Sequence, residues 1–80
     1  MYYVYILESK KDKKMYIGST NDLKRRLQEH QNGKVQSTSY RRPLELVYFE
    51  AFRNETQARR REMNLEHSDK AYQELKRRIL

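Results

Sequence analysis

K-M-Y-I-G-S-T-N-D-L-K-R-R-L-Q-E-H, residues Lys14 to His30, changes its hydrophobic period halfway along. Lys14 to Ile17 is a short strand candidate, and Gly18 is expected to end it in a sharp turn. Thr20, Asn21 or Asp22 can then cap a helix that runs to about Gln31. Gly33 stands where a C-terminal glycine is expected. At ~100° per residue, Leu23, Arg26, Leu27 and His30 share one face of this helix. Lys24, Arg25, Gln28 and Glu29 point away. The stripe that must face a sheet therefore carries an arginine and a histidine. An unpaired buried charge is costly, so Arg26 either snorkels, pairs with a carboxylate, or is held there for chemistry.

Outward from this stretch, Tyr2 to Leu7 is an apolar and aromatic run of β-formers that suits a central strand covered on both faces. Ser9 to Lys13 is charged and turn-like, so the first two strands form a hairpin. Gly33 to Arg42 reads as a polar loop closed by Pro43, and Leu44 to Phe52 is the longest strand candidate. Asn54 followed by Gln57 resembles a capping box, opening a helix to about Glu66. Ser68-Asp69 opens a last helix with Ala71, Tyr72, Leu75 and Ile79 on one stripe. The order β-β-α-β-α-α predicts an α+β fold: a three-stranded antiparallel sheet, strand order 2-1-3, flanked by three helices. Residues 1–80 are read as a single small domain.

The chain has 80 residues, and 18 Lys+Arg against 11 Asp+Glu give a net charge of +7. A positive field of that kind favours polyanions: DNA, RNA or an acidic membrane. Seven tyrosines tilt the reading toward nucleic acid, because aromatic rings stack on bases and hydroxyls reach phosphates. So short a chain has little room for a deep pocket, which points to a shallow surface site. Without cysteine, thiolate nucleophiles and zinc–thiolate sites are excluded. The apolar start is short, has no basic lead and meets Glu8 at once. It is read as neither signal peptide nor membrane span, and the expected location is cytoplasmic.

The helix after Asn54 repeats the pattern of the first. Ala58, Glu62 and Leu65 lie on one stripe, while Arg59, Arg60 and Arg61 read as a solvated face. Glu62 then either forms a structural salt bridge with Arg26 or holds a metal ion at the edge of the sheet. Tyr5, Tyr16, Arg26, His30 and Glu62 converging on one side of the sheet would suit phosphodiester hydrolysis. Water must be positioned or deprotonated, and a cation must stabilise the pentacovalent charge. A carboxylate can hold Mg²⁺ or Mn²⁺.

Tyr16-Ile17-Gly18, a degenerate Tyr3-Val4-Tyr5 at fitting spacing, Asn21-Asp22-Leu23 leading to Arg26, His30 four residues on, and Glu62 on a later helix together resemble a GIY-YIG nuclease domain. Tyr40 to Tyr48 and Ala58 to Glu62 are similar to the small stand-alone members of that family. The resemblance covers nearly the whole chain. It implies Tyr16 as general base on the attacking water and Tyr5 as the tyrosine that orders the nucleophile or scissile phosphate. It implies Arg26 as stabiliser of the phosphorane, His30 as a phosphate contact or proton-transfer aid, and Glu62 as sole protein ligand of one Mg²⁺ or Mn²⁺. A tyrosine base must have its reference pKa of about 10 lowered, or else only orient the water. The chain departs from the family at Ser19, where some relatives carry lysine. It departs again at Glu66, where a basic residue is expected, and at Ser68, near an expected tryptophan.

Tyr40, Arg41, Arg42 and Lys14 are the candidate contacts to nucleic-acid backbone outside that set. The function this implies is a divalent-metal-dependent endonuclease acting on DNA with low sequence specificity. Branched, nicked or single-stranded DNA in repair or processing would be its substrate, and a partner protein could assist. RNA is the second candidate polymer. The competing readings are a non-catalytic DNA- or RNA-binding module on a nuclease fold, and a basic adaptor in which Arg26 and Glu62 simply pair.

Overall fold

The computed structural model describes residues 1–79. The elements are β1 (Tyr2–Ser9), β2 (Met15–Thr20), α1 (Leu23–Gln31), β3 (Leu44–Phe52), α2 (Glu55–His67) and α3 (Asp69–Ile79), with a 3-10 turn at Ser39–Arg41 before β3. The sheet order is β2-β1-β3 and both pairings are antiparallel, so the most apolar strand lies in the centre, as expected. Among the described residues no helix is long and apolar enough to cross a membrane.

Successive strand residues point to opposite faces, and the two faces are packed differently. Val4 and Ile6 of β1 join Ala58 and Leu65 of α2 and Leu75 of α3 in one core cluster. Tyr5 and Leu7 join Leu44 in a second cluster, against which Tyr16 and Leu23 and Leu27 of α1 pack. Thus α1 covers one face of the sheet while α2 and α3 cover the other. A register shift between Ile6 and Leu7 along the β1–β3 pairing keeps Tyr48 with the first cluster and Leu46 with the second.

Local chemistry sets the helix starts. The Asp22 side chain accepts from the Arg25 amide, and that of Asn54 from the Gln57 amide. Gly33 has φ +75, the left-handed conformation that glycine adopts without steric cost. A Cβ there would also lie 2.8 Å from Cζ of Arg42. The loop that follows is less polar in fact than in sequence, because Val35 and Thr38 are buried.

Two expectations are corrected. Gly18 does not end β2; it lies within the strand, opposite Tyr5. Arg61 is not a free solvated charge: its side chain is 29% exposed, its Nε and Nη2 donate to Glu50 at 2.9 and 3.0 Å, and Tyr48 donates to the same carboxylate at 2.6 Å.

Candidate active site

Gly18 explains how a residue of the central strand takes part in an edge site. A Cβ at Gly18 would lie 2.5 Å from the Tyr5 hydroxyl and 2.7 Å from its Cζ. The missing side chain is the space that the Tyr5 ring occupies as it crosses β2. Tyr16, two residues earlier on the same face, flanks that space, with its ring centroid 6.3 Å from that of Tyr5.

His30 closes the arrangement from α1. Its ring stands edge-on to Tyr5 at 5.6 Å and to Tyr16 at 5.2 Å. The Tyr5 hydroxyl lies 2.9 Å from Nε2, and Nδ1 lies 2.8 Å from Oγ1 of Thr38. Both His30 and Thr38 are fully buried. Burial first, and then the charge of Arg26, pushes the imidazole down to about 4, so His30 is neutral at neutral pH. Burial likewise pushes the Tyr5 phenol up to about 12, against the pull of Arg26 and with smaller upward contributions from Tyr16 and Glu62. Tyr5 is therefore a neutral phenol held in place, not a base. His30 has no exposed surface, and both its ring nitrogens lie within hydrogen-bond distance of protein hydroxyls.

Arg26 lies beside Tyr5 and is one-third exposed. Its Nη1 binds Glu29 at 3.0 Å. Glu29, and after it Tyr5, hold the guanidinium above its ordinary pKa. Glu29 was expected to point away from this stripe and Glu62 to be the alternative structural partner; among the described residues the ion pairs of Arg26 include Glu29 and not Glu62.

Glu62 reaches the site from the opposite face. Ser19, which points away from Gly18 and toward α2, donates to Glu62 Oε1 at 2.6 Å. The five expected residues thus do not share one side of the sheet: they meet around the β2 edge, with Tyr5, Tyr16, Arg26 and His30 on the α1 side and Glu62 on the α2 side. Tyr16, Glu62, Glu66 and Asp69 line one open groove of about 610 Å³. Burial and the neighbouring Glu62 carboxylate raise the Glu66 pKa. Among the described residues no three His, Cys, Asp or Glu side chains form a group able to hold a metal. An open groove whose charged lining residues are all carboxylates, with Ser19 orienting Glu62, does not suit zinc. It fits a hard cation that keeps several waters, such as Mg²⁺.

The residues expected to touch nucleic-acid backbone divide into two kinds. Arg41 binds Asp12 at 3.1 Å with a side chain only 15% exposed. Arg42 donates to the carbonyls of Ser39 and Gln31. These two tie the loop to the hairpin and to the end of α1. Tyr40 and Lys14 are exposed, and so is Arg42 despite its two hydrogen bonds. Ser19, which the sequence marks only as a departure from the family, joins the site through Glu62, and strand alternation sets it on the face opposite Gly18. Thr38, in a loop without periodicity, gave no signal.

A central-strand tyrosine crossing a glycine, a second tyrosine, an arginine one helix away and a carboxylate from another helix define a nuclease-type fold, and the chain belongs to the GIY-YIG family: its match to the GIY-YIG catalytic domain spans residues 1–77. It is similar to a UPF0213 protein of Clostridium perfringens, 48% identical over 63 residues, which is 78% of this chain and 67% of that one. A UPF0213 protein of Streptococcus pyogenes serotype M5 is 49% identical over 51 residues, 62% of this chain and 54% of its own length. The match thus spans about half of that streptococcal relative. The solution NMR structure of a UPF0213 protein from Bacillus halodurans superposes with a TM-score of 0.59 at 40% identity, covering 94% of this chain and 82% of that chain.

Proposed function

We propose that this chain is a cytoplasmic, divalent-cation-dependent endonuclease that hydrolyses DNA phosphodiester bonds with low sequence specificity. Branched, nicked or single-stranded regions are its substrates in repair or processing. The observation that carries the reading is the convergence of Tyr5, Tyr16, Arg26 and Glu62 around the β2 edge at Gly18. Phosphate contacts give affinity without sequence information, and nothing in a shallow edge site reads bases in a groove.

The residues divide the work by their environments. Tyr5, kept neutral and fixed by His30, orders a phosphate oxygen or the attacking water. To donate its own proton outward it must accept from His30 Nε2–H, and Thr38 then donates to Nδ1. Tyr16 shares its groove with Glu62 and is the group that orients or deprotonates the water. Arg26 has guanidinium N–H groups beyond the one taken by Glu29, and these stabilise the charge of the phosphorane. Glu62, oriented by Ser19, would hold Mg²⁺ or Mn²⁺, which when bound supplies neutralisation of phosphate and leaving-group oxygens. Tyr40 and Lys14 contribute backbone contacts away from the reacting phosphate.

The test is nicking of supercoiled plasmid with Mg²⁺ or Mn²⁺, followed by duplex, single-stranded and branched substrates. Arg26→Ala and Glu62→Ala should each reduce the rate by about 10²–10³. Variants that cut as fast as the parent would refute the site. A parent that binds DNA in a salt-dependent way but cuts nothing across metals would make the chain a binding module.

A further inference from the structure

At the end of β2 the chain leaves the sheet between the first turns of two helices, α1 beginning at Leu23 and α2 at Glu55. A polar depression of about 370 Å³ opens there, lined by Ser19, Asn21, Arg25, Arg26, Glu55 and Arg59 among others. Three guanidinium groups face one carboxylate. By helical phase alone Arg25 and Arg59 point away from the sheet. They share a pocket because α1 and α2 cover opposite faces and both start beside the same strand end. The positive ends of two helices add potential of the same sign. Their first amides are already capped by Asp22 and Asn54, so an anion here would meet side chains.

Two of the pocket's cations, Arg59 and Arg25, are lightly committed. Arg59 pairs with Glu55 at 2.9 Å with side chains 72% and 54% exposed. Arg25 pairs with Glu29 at a long 3.8 Å and donates to Asn21 at 3.2 Å. Exposed pairs of this kind contribute little, whereas a guanidinium can grip a phosphate through two parallel N–H donors. The pocket is also continuous with the proposed reaction centre: Arg26 lies beside Tyr5, and Ser19 binds Glu62. A strand with one phosphate at Tyr16 and Glu62 would pass its neighbouring phosphate over Arg26 toward Arg25 and Arg59.

We propose that this arginine pocket is a second phosphodiester subsite, holding the DNA phosphate adjacent to the scissile one. The proposal rests on the nuclease reading for the identity of the polymer. It assigns Arg25 and Arg59 to substrate binding and makes Glu55 a competitor of the phosphate for Arg59. If the arginines instead contributed only to a diffuse positive field, any exposed arginine of α2 would matter equally.

Binding of labelled duplex and single-stranded DNA, measured by fluorescence anisotropy in EDTA across a salt series, separates the two. The Arg25→Ala/Arg59→Ala double variant should lose about tenfold in affinity and reduce the slope of log K against log salt by about one. Glu55→Gln should bind more tightly than the parent. Arg60→Ala, outside the pocket, should change affinity far less than Arg59→Ala alone. With Mg²⁺, the double variant should show a raised KM at parental kcat. If Arg60→Ala weakens binding as much as Arg59→Ala, or Glu55→Gln binds no better than the parent, the subsite is wrong. A parent that cuts, beside a double variant of parental KM, overturns the subsite and leaves the nuclease reading. A parent that binds with the stated dependence but never cuts overturns the nuclease reading and leaves the pocket. A parent that binds no DNA overturns both.

Discussion

Val4 and Ile6 on one face of β1 pack among Ala58, Leu65 and Leu75, whereas Tyr5, between them in sequence, enters a polar core with His30 and Thr38. Both faces exclude water from β1, which is fully covered from Val4 to Leu7. They differ in what holds them. The fully buried side chains on the α2/α3 face are aliphatic, and a core of that kind accepts substitutions that keep its volume. The α1 face depends on a chain of hydrogen bonds in which each buried atom has a particular partner. Leaving one unpaired costs more than the bond is worth when made. The first kind of core holds the sheet together; the second fixes where a hydroxyl points.

The comparison can be broken most severely on the aliphatic side. Ile6→Ala removes packing from a fully buried site and should cost about 2–5 kcal/mol by denaturant unfolding. Cleavage corrected for the folded fraction should stay near that of the parent. Gly18→Ala tests the junction of the two faces: a methyl group in the space held by the Tyr5 ring should cost about 1–3 kcal/mol by overpacking. Unlike Ile6→Ala, it should lower cleavage per folded molecule, because the ring it displaces carries the site hydroxyl. Parental activity in folded Gly18→Ala would mean that Tyr5 need not cross the strand.

On the polar side, Thr38→Val is nearly isosteric yet strips His30 Nδ1 of its partner, a loss of about 1–3 kcal/mol that Thr38→Ser should largely restore in thermal melts. His30 also sets a pH window. Its folded pKa is lowered to about 4 from an ordinary 6.5, so the unfolded chain binds the extra proton between those values. Its contribution is fully present above pH 6.5 and is lost as pH falls toward 4. Stability measured across that range should fall less steeply in His30→Gln; an unchanged slope would show that the histidine titrates normally. The smallest effect is expected back on the other face. Arg61→Ala opens the partly exposed pair with Glu50 and should cost about 1 kcal/mol with no change in cleavage.

Much of this was legible in the order of residues. Strand alternation and the apolar run of β1 put it in the centre. Asn54 marked the start of α2, the start of α1 was narrowed to Thr20, Asn21 or Asp22, and a period of 3.6 set Arg26 and His30, not Arg25, toward the sheet. Gly18 shows where that kind of reading stops. Its place in the motif was plain, but a glycine that ends a strand and a glycine that makes room for a ring from the next strand look the same in sequence. Glu62 shows it again: its inward phase was correct, but a helix stripe does not say which face of the sheet it will cover.

The order of residues carried the main elements, the strand order and the inward phase of Arg26, His30 and Glu62, because caps, turns and periodicity are interactions between neighbours along the chain. Packing in three dimensions set the candidate residues around the β2 edge, paired Arg26 with Glu29 and not Glu62, put Thr38 against His30, and brought Arg25 and Arg59 to one pocket. Each of these depends on contacts between segments far apart in the chain. Such contacts form only once packing has chosen a face for every helix, and local periodicity carries no information about that choice.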